Sequence, residues 1–312
     1  MQWLKGVWML RKSRFVVIVF FVAAVILFEL NKFQDRNAND RMPPVITMEE
    51  DTVVISVSDD KDAILDGITA RDGTDGDVTA NLVVEKLGNF IEPGRRQATI
   101  AAFDRDSNVS RVTRTVVYSD YEPPMIYIYA PLKFTVSTGS NTLSLEKIIS
   151  EISAYDSIAG DITNRIRISS DYPINVYKTG EYPTELSVMG EAGASTKIPV
   201  TVEIVDPEEE RGLPEIGVDQ VLLNTPVGNE VSPHSVITYV TVDSVTYELG
   251  EDGKLHGKQR ISGTLTDVEM ELTDVAVSGD VDYDTPGVYE MILSIKNADG
   301  NTGKTRIYIH VY

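Results

Sequence analysis

Two stretches of this 312-residue chain repeat each other: Ile-Thr-Ala-Arg-Asp-Gly-Thr-Asp-Gly-Asp-Val-Thr at 68–79 returns as Ile-Ser-Ala-Tyr-Asp-Ser-Ile-Ala-Gly-Asp-Ile-Thr at 152–163. A repeat of this kind means that one supersecondary unit is used more than once, which restricts the chain to an array of small modules. The conserved letters are turn and strand letters. Gly76 and Gly160 suit a positive φ, Asp77 and Asp161 suit acceptance of backbone amides, and Thr79 and Thr163 suit the start of the next strand. These six residues are read as a structural turn. The alternative is a calcium site, because Asp72, Asp75 and Asp77 place three carboxylates within six residues, with Asp104 and Asp106 as further oxygen ligands. The second copy favours the turn: Asp156 and Asp161 persist, whereas Asp75 becomes Ala159. No other cofactor is expected.

Three similar openings mark the modules, at Pro43-Pro44-Val45-Ile46, Pro123-Pro124-Met125-Ile126 and Leu213-Pro214-Glu215-Ile216. Proline donates no amide hydrogen, so it belongs at the start of an edge strand or in a joint. The expected domains are 43–120, 121–207 and a diverged 213–312, with an acidic linker at 208–212. Inside them the apolar period is two. Ile198, Val200, Val202 and Ile204 alternate with polar residues, and Ile307, Ile309 and Val311 stand opposite Arg306, Tyr308 and His310. One face of each strand is therefore expected to be buried and the other wet. Leu145, Ile148, Ile149 and Ile152 have helical spacing and predict a turn or two of helix between strands. The fold class is all-β, tandem antiparallel sandwiches behind one N-terminal transmembrane helix.

Further correspondences extend the repeat. Gly94, Gly180 and Gly287 each precede a hydrophobic strand, the latter two as Gly-x-Tyr, and Asp299-Gly300-Asn301 precedes the last strand. With the Asp-Gly-Asp turn, this pattern resembles bacterial Ig-like modules, in particular the Ig-like domain of pesticidal crystal proteins, with hyalin-repeat modules as a looser likeness. The resemblance covers residues 43–207 and the third module from about Thr285. It implies a surface β-sandwich and says nearly nothing of activity. The chain departs from the pattern at Arg96, which replaces the tyrosine, and at Gly190-Glu191-Ala192-Gly193-Ala194.

Location follows from the N-terminus. Phe15 to Phe28 is uninterrupted apolar sequence, preceded by Lys5, Arg11, Lys12 and Arg14, and 15–30 is read as a spanning helix with a cytoplasmic tail at 1–14 and a linker at 31–42. Residues 1–42 carry seven Lys/Arg against three Asp/Glu, which leaves −24 of the net −20 on the remainder. The modules are placed outside the cell, and so acidic a surface excludes a nucleic-acid partner. There is no cysteine, so neither disulfides nor thiolate metal sites enter.

Catalytic patterns are missing. His234, His256 and His310 show no paired spacing, and Gly303-Lys304-Thr305 lacks the glycine of a phosphate loop, Ala298 standing in its place. The expectation is a non-enzymatic membrane-anchored spacer, adhesion or protein-interaction protein, its partner a surface protein. The alternative is binding of cell-wall or host polysaccharide. Tyr118, Tyr121, Tyr127 and Tyr129 cluster around the joint between the first two modules and are read first as packing that joint or covering the sheet; Tyr127 and Tyr129, outward on a strand whose Ile126 and Ile128 point inward, are the candidate binding residues.

Overall fold

The computed structural model describes residues 17–30, 41–137, 143–169, 171 and 173–312. Apart from short helical turns, these residues form strands and the loops between them. Residues 17–30 are helical (α1). The fourteen described residues rise about 21 Å, and residues 15 and 16 of the expected span lie outside the described residues. Among the described residues no helix is long and apolar enough to cross a membrane, so the spanning helix expected over 15–30 is not supported there. The expected tail at 1–14 and nearly all of the linker at 31–42 lie outside the described residues.

The chain divides into two compact units, one of Met1–Ile91 with Arg95–Ser119 and one of Glu92–Gly94 with Asp120–Tyr312. The first holds strands β1 (Val45–Met48), β2 (Thr52–Ile55), β3 (Ile68–Asp72), β4 (Gly76–Asp77), β5 (Leu82–Glu92), β6 (Arg95–Phe103) and β7 (Val109–Tyr118). They make two sheets, ordered β1-β3-β4 and β2-β7-β6-β5. Ile68 and Ala70 from one sheet meet Ile100 and Val116 from the other in a common core. Arg114 is buried in this unit, where its Nη1 donates to the carbonyls of Ile64 (2.8 Å) and Asp66 (2.5 Å). It thereby satisfies acceptors left over at the end of a short 3₁₀ turn.

The second unit contains two sandwiches. In the first of these, β8 (Met125–Ile128), β9 (Lys133–Thr135), β10 (Ile152–Asp156), β11 (Gly160–Asp161), β12 (Arg167–Ile168), β13 (Gly180–Met189) and β14 (Ser195–Val205) form sheets β11-β10-β8 and β12-β13-β14-β9. The helical spacing before β10 folds as α2 (Leu145–Ile149), capped by Ser144 Oγ, which accepts from the Lys147 amide at 3.2 Å. Where an acidic linker was expected, Pro207–Glu210 form a turn of helix (α3), with Asp206 accepting from the Glu208 amide at 2.9 Å.

The last sandwich holds β15 (Glu215–Val218), β16 (Leu222–Thr225), β17 (Ile237–Val242), β18 (Val245–Leu249), β19 (Leu255–Ile261), β20 (Thr264–Met270), β21 (Ala276–Ser278), β22 (Gly287–Lys296) and β23 (Thr302–Val311). Its sheets are β15-β17-β18-β19-β20 and β16-β23-β22-β21. The divergence read in its first half is this five-stranded meander. Two of its hairpins turn on Asp243-Ser244 (φ 49° and 63°) and Ser262-Gly263 (φ 51° and 86°). Positive φ at both central residues gives the turn whose twist matches paired strands. The Gly-x-Tyr of the last two sandwiches has a shared geometry: Tyr182 Oη donates to the Lys178 carbonyl (2.8 Å) and Tyr289 Oη to that of Thr285 (2.9 Å). In the first unit Arg96 instead lies over the rings of Phe90 and Tyr118, 4.8 and 5.2 Å from their centroids.

Candidate functional site

The duplicated turn is built the same way twice. Asp72 Oδ1 accepts from the amides of Thr74 (2.7 Å) and Asp75 (2.9 Å), and Asp156 Oδ1 from those of Ile158 (2.9 Å) and Ala159 (2.7 Å). Asp77 Oδ1 and Asp161 Oδ1 each accept from the amide of the threonine two residues on, both at 2.9 Å. Thr79 Oγ1 and Thr163 Oγ1 then accept from the amides of Ala70 and Ala154, both at 3.1 Å. Gly76 and Gly160 take φ of 78° and 73°, as that register requires. The pKa of Asp77 is lowered by its bonds to Thr79, and that of Asp161 likewise by Thr163.

The copies differ around this frame. Asp75 Oδ2 accepts from the Arg105 amide (2.9 Å) and its Oδ1 lies 3.6 Å from the Arg105 guanidinium, a tie that Ala159 cannot make. Asp104 accepts from the amide (2.7 Å) and the side chain (2.6 Å) of Asn108. In the second copy Gly190 stands at the corresponding hairpin, and a Cβ there would collide with Asp156 Oδ2. Asp72, Asp75 and Asp77 thus turn to three different sets of amides. Among the described residues no group of three or more His, Asp or Glu is placed to hold a metal ion.

The second unit adds a site that the sequence did not announce. Tyr308, read as pointing to water, is 3% exposed and belongs to the core of the preceding sandwich together with Val221 and Leu222. Its Oη accepts from the Thr201 amide at 2.7 Å, and burial pushes its pKa up to about 12. Both faces of β23 are therefore covered, one by its own sandwich and one by the neighbour. The Val221 amide donates to the Ile128 carbonyl (2.6 Å) and Asn224 Nδ2 to that of Ile126 (3.0 Å), so β16 runs along β8.

Arg306 completes this joint. Its guanidinium reaches Glu203 (2.7 Å), Glu181 (3.1 Å) and Glu290 (3.1 Å), with the side chain 11% exposed. Glu181 and Glu203 stand directly opposite each other on β13 and β14, where two like charges repel. The arginine from the neighbouring sandwich supplies the countercharge. Burial raises the pKa of Glu203, opposed by the attraction of Arg306 and Lys133. Burial works against the charge on Arg306, but Glu203 and Glu290 outweigh it and hold its pKa above the ordinary value. Beside the joint opens a cleft of about 600 Å³, lined among others by Phe134, Arg211, Lys304 and the ion pair of Lys133 with Glu210.

Of the tyrosines, Tyr127 on β8 and Tyr129 just past its end are stacked, ring centroids 6.2 Å apart and planes 7° from parallel. Tyr118 packs instead on Phe90 and Arg96, and Tyr121 has its hydroxyl buried. The three histidines serve separate local roles, His234 at the Val275 carbonyl (2.8 Å), His256 at Asp252 (2.9 Å) and His310 at Asn224 (2.8 Å). Sequence reasoning missed Arg306, Tyr308, Glu181 and Glu203 because alternation shows only which face is polar.

No family model matches the chain. It is 26% identical over 171 residues to the "uncharacterized 81.3 kDa protein" of Acholeplasma phage L2, a match covering 53% of this chain and 23% of that one. The chain therefore spans about a quarter of the length of this relative. Among solved structures, Drosophila N-cadherin EC1-3 is similar at 16% identity, covering 74% of this chain and 80% of that one, with a TM-score of 0.28. The CBM51-2 domain in complex with GlcNAc and INT domains from Clostridium perfringens ZmpB is similar at 18% identity, 47% and 29% coverage and a TM-score of 0.21. A lipoprotein of Bacteroides thetaiotaomicron is similar at 13% identity, 59% and 98% coverage and a TM-score of 0.22. Likenesses this distant carry no argument about ligand or activity.

Proposed function

We propose that the chain is a non-catalytic array of Ig-like β-sandwiches serving at a cell surface as a spacer and as an adhesion or protein-interaction scaffold. The observation that carries this reading is the joint of the last two sandwiches. Tyr308 and Leu222 of one are buried in the core of the other, and Arg306 neutralises a carboxylate pair there. Such packing holds two modules in one fixed relation, which is what a scaffold presenting a surface needs and what a flexible tether lacks. At the joint the carboxylates of Glu181, Glu203 and Glu290 are all engaged by Arg306, which supports a structural role for this cluster.

The proposed location is outside the membrane. The exposed apolar side chains of α1, among them Phe20, Phe21, Leu27 and Phe28, mark the segment that would associate with lipid. Beads coated with the full chain should adhere to intact cells or isolated walls, and soluble chain should compete. Protease added to intact cells producing the chain should cut it. No adhesion together with full protection from protease would overturn the proposal.

A further inference from the structure

The outer face of β8 belongs to a larger aromatic strip. Tyr127 stands opposite Ser153 on β10, which places Tyr155 diagonally beside it on the same face. On the other side of β8 runs β16, whose Asn224 bonds at once to the Ile126 carbonyl and to His310 Nδ1. His310 in turn lies against Tyr312, ring centroids 5.7 Å apart. The phenol of Tyr127 is pushed up by burial, and then by Tyr129, Tyr312, Glu122 and Tyr155, the groups that face it. Tyr129 and Tyr155 are both 53% exposed and Tyr312 38%, so rings that would normally be covered stand in solvent across two sandwiches of one compact unit.

We infer that this strip, Tyr155, Tyr127, Tyr129 and Tyr312, is a docking surface for a neutral polysaccharide chain. The inference rests on the reading of the protein as a surface binding array, and it names the partner class. The near-parallel rings of Tyr127 and Tyr129, with Tyr155 and Tyr312 beside them, offer exposed aromatic surface of the kind that the C–H faces of a pyranose cover, and the phenol and imidazole rims offer hydrogen bonds to its hydroxyls. A protein hot spot would sit within a dry apolar surround. Here the neighbours are Ser153, Asn224, Glu122 and Asp161, which suit a hydrated, hydroxyl-rich ligand. On a chain of net charge −20 a polyanion is repelled. A linear polymer also fits the layout, because the joint fixes the two halves of the strip relative to each other.

Native gel electrophoresis of the full chain through gels containing hydroxyethyl cellulose or glycol chitin tests this, with hyaluronan as the polyanion. Retardation by at least one neutral polymer is expected, weakened at least tenfold in Tyr127→Ala/Tyr129→Ala and also weakened in Tyr155→Ala. Tyr177→Ala, at an exposed tyrosine outside the strip, should behave as the parent. If the double variant does not fold, Tyr129→Ala alone decides, since that side chain is half exposed. No retardation by either neutral polymer, retardation by hyaluronan alone, or undiminished retardation of the variants would overturn the inference. Bead adhesion persisting without any retardation would leave the scaffold reading standing and remove the polysaccharide.

Discussion

The turns at 68–79 and 152–163 share a frame and differ in their surroundings, and the difference separates what builds a strand reversal from what decorates it. The polar positions kept in both copies are those whose side chains accept backbone amides: Asp72 and Asp156, Asp77 and Asp161, Thr79 and Thr163. Among the positions that change, Asp75, which is Ala159 in the second copy, reaches out to Arg105 on another loop. A site for a ligand would invert this, keeping the outward groups and letting the inward ones drift.

The comparison can be broken most forcibly at its centre. Asp72→Ala and Asp156→Ala each strip two amides of a charged acceptor in a buried setting, which should cost about 3 kcal/mol in urea unfolding. Equal losses support a common structural role, and a much larger loss at Asp72 with added calcium would point to a role peculiar to the first copy. Gly190→Ala should cost about 2 kcal/mol through collision with Asp156. Thr79→Val and Thr163→Val remove one acceptor each, and about 1 kcal/mol is expected from thermal melts. Asp75→Ala, which gives the first copy the alanine of the second, should stay near 0.5 kcal/mol because the Arg105 guanidinium is exposed.

The smallest effect is one of pH. Asp77 and Asp161 have folded-state pKa values lowered from 3.8, so their contribution is fully present above the unfolded value. It is lost as pH falls below about 4 and through the folded values. Replacing both with asparagine should flatten the acid limb of a stability profile measured from pH 6 to 2 and leave the neutral region unshaped by these groups. An unchanged acid limb would show that the threonine amides do not distinguish the two protonation states.

Much of the architecture was legible because it is local. Period two, the Asp-Gly-Asp turns and the proline openings each act within a dozen residues, and the all-β class follows from them. The spanning helix expected over 15–30 finds no support among the described residues, which take in 17–30 of it. The joint was illegible for a different reason. Arg306, Tyr308 and His310 form a polar face by any count, and a polar face is ordinarily a wet one. Here it is answered by Glu181, Glu203 and Thr201, partners more than a hundred residues away in sequence, and nothing local marks that complementarity. For the same reason, deleting 213–312 is not a neutral truncation. It removes Val221, Leu222 and Tyr308 from the core of the sandwich left behind. The aromatic strip was half legible, Tyr127 and Tyr129 by their spacing, Tyr155 and Tyr312 only through strand pairing.

Each sandwich also has its second strand lying parallel to its last: β2 with β7, β9 with β14, and β16 with β23. Tension applied through the chain at both ends of such a module pulls these two strands past each other in shear. Their hydrogen bonds must then rupture together, whereas an antiparallel hairpin pulled at its open end unzips one bond at a time. The β9–β14 clamp has three residue pairs, against four in each of the others. Under load the middle sandwich has the shortest latch and is the first expected to yield, which makes it the fuse of the array.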